Sequence, residues 1–235
     1  LENSSDSVLL RRNYKIWRNN KKTNRQLKGG GDMKTINNSD SAVIILHEIY
    51  GINQHIQLVC EKFSMHGYHV ICPNLIGLTK PFSYDLEQDA YHHFMKNIGF
   101  DLSVHKVKQV IIHAKKHYRH IYLLGYSVGA TIAWLCSGEE NMCDAIVGYY
   151  GSRIRDYKNI TPQCPVLLIF PNEENSFNVQ GLVTSLERQS INVYMLNGKH
   201  GFSNPFSKNY YEESFEKSEK LVDSFLKKIT NKSPI

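Results

Sequence analysis

The chain has 235 residues, of which 41% are hydrophobic and 21% charged, with 15 Gly and 7 Pro. These proportions suit a globular protein and exclude a collagen-like or wholly disordered chain. The formal charge of +6 is concentrated in residues 1–32, which hold eight Lys/Arg against three Asp/Glu, so the remainder is nearly neutral and has no electrostatic footprint for nucleic acid.

The segment 1–32 is polar and basic, ends in Gly29-Gly30-Gly31, and is followed by Met33. Its composition predicts a disordered tail. Two readings fit it. As an arm, its Arg/Lys residues with Tyr14 and Trp17 would touch RNA or an anionic membrane. As non-native sequence it precedes a start at Met33, since Lys28 to Met33 can be encoded by a purine-rich stretch resembling a ribosome-binding site. The second is the expectation, with residues 33–235 forming one α/β domain.

From residue 41 onward strands and helices alternate. Ala42 to His47 is a continuous apolar run, the pattern of a strand buried on both faces. Asn53 to His66 carries Ile56, Val59, Cys60 and Phe63 at helical spacing and stops at Gly67. Tyr68 to Cys72 reads as a second strand. Helical stretches are expected at Asp85–Ile98 and Leu102–His117, the latter with Val104, Val107, Ile111 and Ala114 on one face. Next come strand Ile121–Leu124 and the apolar helix Ala130–Ser137. Strands Ala145–Tyr150, Pro165–Phe170 and Asn192–Leu196 follow, with a helix near Asn178–Gln189 between the last two. An amphipathic helix from about Tyr211 to Ile229 ends the series. This order predicts a mostly parallel sheet with helices on both faces.

Between a predicted strand and a predicted helix lies Gly125-Tyr126-Ser127-Val128-Gly129. A GxSxG pentapeptide in that context is a nucleophile elbow, a turn so tight that only small residues fit two positions either side of the serine. Hydrolases built on this turn run serine, acid, histidine along the chain. Ten of the eleven histidines precede Ser127; only His200 follows it, in a Gly-flanked loop after the last predicted strand. That order assigns His200 as the base. The acid belongs in a loop after a strand, and Glu173 and Glu174 directly follow Pro165–Phe170. Glu139, Glu140 and Asp144 precede a strand, Glu187 falls on a helix, and Asp156 has no strand before it. Spacing leaves Glu173 and Glu174 both open. Val128, at a helix N-terminus just after the nucleophile, offers its backbone N–H to an oxyanion.

His47-Glu48-Ile49-Tyr50-Gly51, the elbow, Gly148-Tyr149-Tyr150-Gly151 and His200-Gly201-Phe202 together resemble the dienelactone hydrolase family of α/β-hydrolases, from about Ala42 to Phe225. The resemblance implies the α/β-hydrolase fold. It aligns Glu174 with the family's acid, gives the second oxyanion donor to the backbone N–H of Ile49, and matches Glu48 to a family glutamate beside the nucleophile; a structural carboxylate is the other reading of Glu48. Dienelactone-cleaving members use cysteine where this chain has Ser127, which makes His200 a full general base and favours ordinary ester chemistry. They also resemble one another in substrate-gripping arginines after the second strand and after the histidine. Here those regions read Asn74 to Leu78 and Phe202 to Asn204, without arginine, which argues against an anionic dienelactone.

The expected function is therefore a serine hydrolase cleaving a small carboxylic ester or lactone through an acyl-enzyme. Alternatives are acyl transfer or thioester hydrolysis at the same site, or a binding protein that kept the fold. No metal or organic cofactor is expected, and His92-His93 and His113/His117 read as solvated helix histidines. The expected partner is a small-molecule ester, with no nucleic acid or membrane, in a monomer or small homo-oligomer. Five cysteines, odd in number and without a CxxC pair, point to a reducing cytoplasm rather than a disulfide scaffold or zinc ribbon.

Overall fold

The computed structural model describes residues 39–174, 176–187 and 191–230. The basic segment 1–32 lies outside the described residues. Among them the chain forms strands β1 (Ser41–Leu46), β2 (His69–Ile71), β3 (His120–Tyr126), β4 (Ala145–Tyr149), β5 (Val166–Glu173) and β6 (Asn192–Lys199). The α-helices are α1 (Gln54–Met65), α2 (Glu87–His93), α3 (Gly99–Ala114), α4 (Val128–Ser137), α5 (Val179–Glu187) and α6 (Glu212–Thr230). The strands make one parallel sheet in the order β2-β1-β3-β4-β5-β6. This is the α/β-hydrolase fold.

The apolar runs are continuous because both faces of the sheet are covered. On one face, Ala42, Ile44 and Leu46 of β1 belong to a buried cluster that continues through Val107 and Ile111 of α3 and Ile132 and Trp134 of α4 to Leu182 and Leu186 of α5, which covers β5 and β6. Val43 and Ile45 face the other way, onto Ile56, Cys60 and Phe63 of α1, in a cluster that extends across the sheet to Val222, Phe225 and Leu226 of α6, which covers β4, β5 and β6. Trp134 is fully buried and donates its indole N–H to Tyr157 O at 2.9 Å, so its one polar atom is satisfied.

Helix α1 is capped by Asn53, whose Oδ1 accepts from Ile56 N at 3.1 Å. The two helical stretches expected after β2 are joined: a short 3₁₀ turn (Tyr84–Leu86) leads into α2, a π-helical turn covers Phe94–Ile98, and α3 starts at Gly99 with φ +70°. Phe94 and Phe100 flank that turn and meet edge-to-face at 5.3 Å inside the core, which explains why the apolar spacing slips there. Strands β5 and β6 run beyond their apolar segments, to Glu173 and Lys199, with a register irregularity between Pro171 and Glu173.

The strand order reverses direction at β1 and β3. Loops leaving the C-terminal ends of these two strands diverge to opposite sides and leave a crevice between them. Glu48 and Ile49 follow β1 there, and Ser127 follows β3.

Candidate active site

The elbow is set by close packing. A Cβ on Gly125 would lie 2.3 Å from Gly129 O, and one on Gly129 would lie 2.2 Å from Leu46 O. Both glycines are therefore required for β3 to turn into α4 against the end of β1. Ser127, at the apex, has φ +54° and ψ −115°, a strained conformation for a residue with a side chain. Its backbone is held by a 2.9 Å bond from Ser127 N to Tyr149 O on β4.

His200 lies 73 residues away in sequence, and its Nε2 is 2.9 Å from Ser127 Oγ. Its Nδ1 is 2.6 Å from Glu174 Oε1. A carboxylate can only accept, so Nδ1 carries the proton and Nε2 is left to accept the serine hydroxyl proton. Glu174 is largely shielded (9% exposed) while the His200 side chain is 36% exposed, an orienting group behind a reachable one. Asn209 Nδ2 donates to His200 O at 2.8 Å and fixes the loop. Glu173 turns the other way, toward Lys199 Nζ at 3.9 Å. Of the two glutamates that spacing left open, Glu174 meets the imidazole.

The loop after β1 is pinned by His47. Leu75 N donates to His47 Nε2 at 2.9 Å, which leaves Nδ1–H to donate to Glu48 O at 2.6 Å. Burial lowers the His47 pKa to about 4, against weaker opposing effects of Glu48, so the ring is neutral. Glu48 O also accepts from Gly51 N at 3.2 Å. In a planar trans peptide the carbonyl and the next N–H point in opposite directions, so the Ile49 N–H faces away from these partners. Ile49 and Val128 both line the cleft that contains Ser127. As the first residue of α4, Val128 has an N–H with no intrahelical acceptor.

Glu48 is 3% exposed. Burial works to raise its pKa, but His55, whose Nδ1 lies 3.8 Å from Oε2, together with His200 and the Tyr150 hydroxyl, holds it below the usual carboxylate value. Tyr150 has φ +41° after β4; its ring lies 4.8 Å from His200 and its hydroxyl 3.1 Å from Ser203 Oγ.

The cleft is about 740 Å³. Some of its wall was not singled out by spacing. Tyr84 Oη accepts from Asn53 Nδ2 (3.0 Å) and Asn204 Nδ2 (2.8 Å), and its ring meets Tyr50 edge-to-face at 4.8 Å. Burial pushes the Tyr84 hydroxyl up to about 12 and Tyr50 is raised as well, so both are neutral hydroxyls. Arg153 and Arg155, from a 3₁₀ turn after β4 (Ser152–Asp156), also reach the cleft. Arginine is thus present, although neither region compared in the sequence supplies it. Arg155 lies over the Phe177 ring at 4.9 Å, and Arg153 bonds Asp156 at 3.1 Å. No signal short of folding would have joined these residues to Ser127.

The other acids sit where strand order puts them. Asp144 Oδ2 accepts from Ile121 N at 2.7 Å before β4, and Glu139 pairs with Lys108. His93 bonds Ile76 O at 3.0 Å and Asn97 at 2.9 Å. Among the described residues no group of three His, Cys, Asp or Glu is arranged to hold a metal ion, and no helix is long and apolar enough to cross a membrane.

The sequence model of the dienelactone hydrolase family matches residues 33–230. A Bacillus subtilis protein, YczH, is 38% identical over 183 residues, spanning 77% of this chain and 89% of its own length. A Yersinia pestis protein described as a candidate carboxymethylenebutenolidase is 24% identical over 223 residues, 82% of this chain and 80% of its own. Among solved structures, a candidate dienelactone hydrolase from Klebsiella pneumoniae superposes with a TM-score of 0.66 at 19% identity, covering 86% of this chain and 89% of that one.

Proposed function

Because this chain belongs to the dienelactone hydrolase family, we propose that it is a serine carboxylic ester hydrolase in which Ser127 is the nucleophile, His200 the general base and Glu174 the orienting acid. The observation that carries the reading is the single imidazole bonded to Ser127 Oγ at 2.9 Å on one side and Glu174 Oε1 at 2.6 Å on the other.

The steps follow from these groups. An ester or lactone carbonyl enters the cleft beside Ser127. As Oγ attacks the carbonyl carbon, His200 Nε2 takes the hydroxyl proton and Glu174 stabilises the resulting imidazolium. The backbone N–H groups of Ile49 and Val128 hold the developing oxyanion. His200 returns the proton to the departing alkoxide oxygen, leaving an acyl group on Ser127. Water, deprotonated by His200, then attacks the acyl carbon; the bond to Ser127 Oγ breaks, His200 returns the proton to Oγ, and the acid is released.

Serine at this position supports general-base ester chemistry, since a hydroxyl is far less ionised than a thiol at neutral pH. Glu48 contributes a buried carboxylate near His200, with His55 Nδ1 3.8 Å from its Oε2. A cytoplasmic setting belongs to the same reading and is supported by the odd cysteine number without a CxxC pair.

The test is intact mass after incubation with a fluorophosphonate. One adduct on the wild type and none on Ser127→Ala is the expected result. A folded wild type that takes no adduct, or a Ser127→Ala variant that still takes one, would overturn the assignment.

A further inference from the structure

At the opposite end of the sheet from Ser127 lies a second pair of nucleophilic side chains. Cys143 precedes β4 by two residues and Cys164 precedes β5 by two. These strands are adjacent and parallel, with Ile146 in register with Val166 and Ile146 N bonded to Pro165 O at 3.0 Å. At the starts of these neighbouring strands, one residue out of register, Cys143 Sγ and Cys164 Sγ lie 3.7 Å apart. Cys143 is buried, as are Cys60, Cys72 and Cys136, whereas Cys164 is only partly buried. Cys164 also lines a separate cleft of about 470 Å³ with Lys158, Pro162, Pro165, Ile191 and Asn192. One thiol faces solvent and the other sits directly behind it.

We propose that Cys143 and Cys164 form a dithiol modification site, which a hydroperoxide entering this cleft converts reversibly to a disulfide. The partly exposed Cys164 sulfur is the one a peroxide reaches. The contact between the two thiols lowers the Cys164 pKa and raises that of Cys143, in the same sense as their exposure. The Cys164 thiolate attacks one peroxide oxygen and breaks the O–O bond, giving a sulfenic acid and, after protonation, water or an alcohol. The Cys143 sulfur then attacks the sulfenic sulfur; the S–S bond forms and the hydroxyl leaves with the Cys143 proton as a second water. Two thiols are oxidised by two electrons and the peroxide is reduced by the same two. A disulfide needs its sulfurs at about 2.05 Å, which contacting side chains reach by rotation and a small approach.

The cross-link ties the starts of β4 and β5 and leaves the C-terminal ends of the strands, where Ser127 and His200 lie, unconstrained. Oxidation should therefore raise thermal stability by several degrees without removing fluorophosphonate labelling.

The experiment treats the full, reduced chain with a small excess of hydrogen peroxide, quenches with iodoacetamide, and measures intact mass and non-reduced peptides for wild type, Cys164→Ser and Cys143→Ser. The wild type should lose the mass of two hydrogens, yield one linked peptide pair joining Cys143 to Cys164, and recover with dithiothreitol. Cys143→Ser should stop at a sulfenic acid on Cys164 that dimedone traps, and Cys164→Ser should stay unoxidised; fluorophosphonate labelling of both variants reports that they fold. Wild type in which both thiols remain alkylatable would overturn the proposal. So would a bridge to another cysteine or to a second chain, or sulfinic acid on Cys164 without a linked peptide.

Discussion

A Cβ placed on Gly129 would lie 2.2 Å from the carbonyl oxygen of Leu46, so the first turn of α4 rests directly on the end of β1. This contact joins the two strand ends that face each other across the crevice. It sets the Val128 amide, one residue before Gly129, near the loop that carries Ile49.

Gly129→Ala should therefore be disruptive although alanine is the better helix former. The methyl group has only backbone to push against, and overpacking of this kind costs about 3 kcal/mol. The check is a lowered urea midpoint, with fluorophosphonate labelling slowed in whatever fraction remains folded. A variant as stable and reactive as the wild type would show that α4 can move off β1.

The two adjacent glutamates should behave very differently. Glu174→Gln keeps the side-chain shape but can present a donor to His200 Nδ1, favouring the wrong tautomer, and should lower kcat by about 10³-fold or more. Glu173→Gln, which loses only an exposed contact with Lys199, should stay within a few-fold. Comparable losses in both variants would mean that Glu174 does not orient the ring. Steady-state hydrolysis of a p-nitrophenyl ester measures the difference.

That pair also shows what could be read before the fold was known. The strands were visible as apolar runs because the sheet is covered on both faces, and GxSxG because tight packing tolerates nothing larger than glycine at Gly125 and Gly129. His200 was visible through chain order alone. The choice between Glu173 and Glu174 needed the family alignment, since adjacent side chains at a strand end point in different directions and spacing does not say which of the two faces His200. Tyr84, Asn204, Arg153 and Arg155 were not legible as a group. They come from loops scattered along the chain, and only the packing of the strand ends brings them around one cleft.

Stability should depend on pH through His47. Its folded pKa is about 4 and its unfolded value near 6.5, so the unfolded chain binds the proton more readily. The neutral ring's contribution is full above pH 6.5 and is lost as pH falls toward 4, amounting to about 2 kcal/mol by pH 5. Urea unfolding at pH 7.5 and pH 5 should show this loss, and His47→Asn should show a smaller one. An unchanged pH dependence in the variant would exclude His47 as the source.

Tyr84→Phe removes the oxygen that accepts from both Asn53 and Asn204. Two amide donors then lose a partner at a partly buried position, at a cost of about 1–2 kcal/mol. Asn53 Oδ1 still caps α1, so the loss should appear as a modest drop in melting temperature rather than unfolding. A melting temperature equal to wild type would mean that both amides are readily satisfied by water.

The central claim is that turnover passes through an ester of Ser127, and rapid-mixing hydrolysis of p-nitrophenyl acetate with mass analysis of acid-quenched samples tests it most directly. A burst of p-nitrophenol close to one equivalent, with one acetyl group mapped to Ser127 and absent in Ser127→Ala, is the predicted result. Hydrolysis that continues in Ser127→Ala, or an acetyl group mapped to another residue while turnover proceeds, would contradict it.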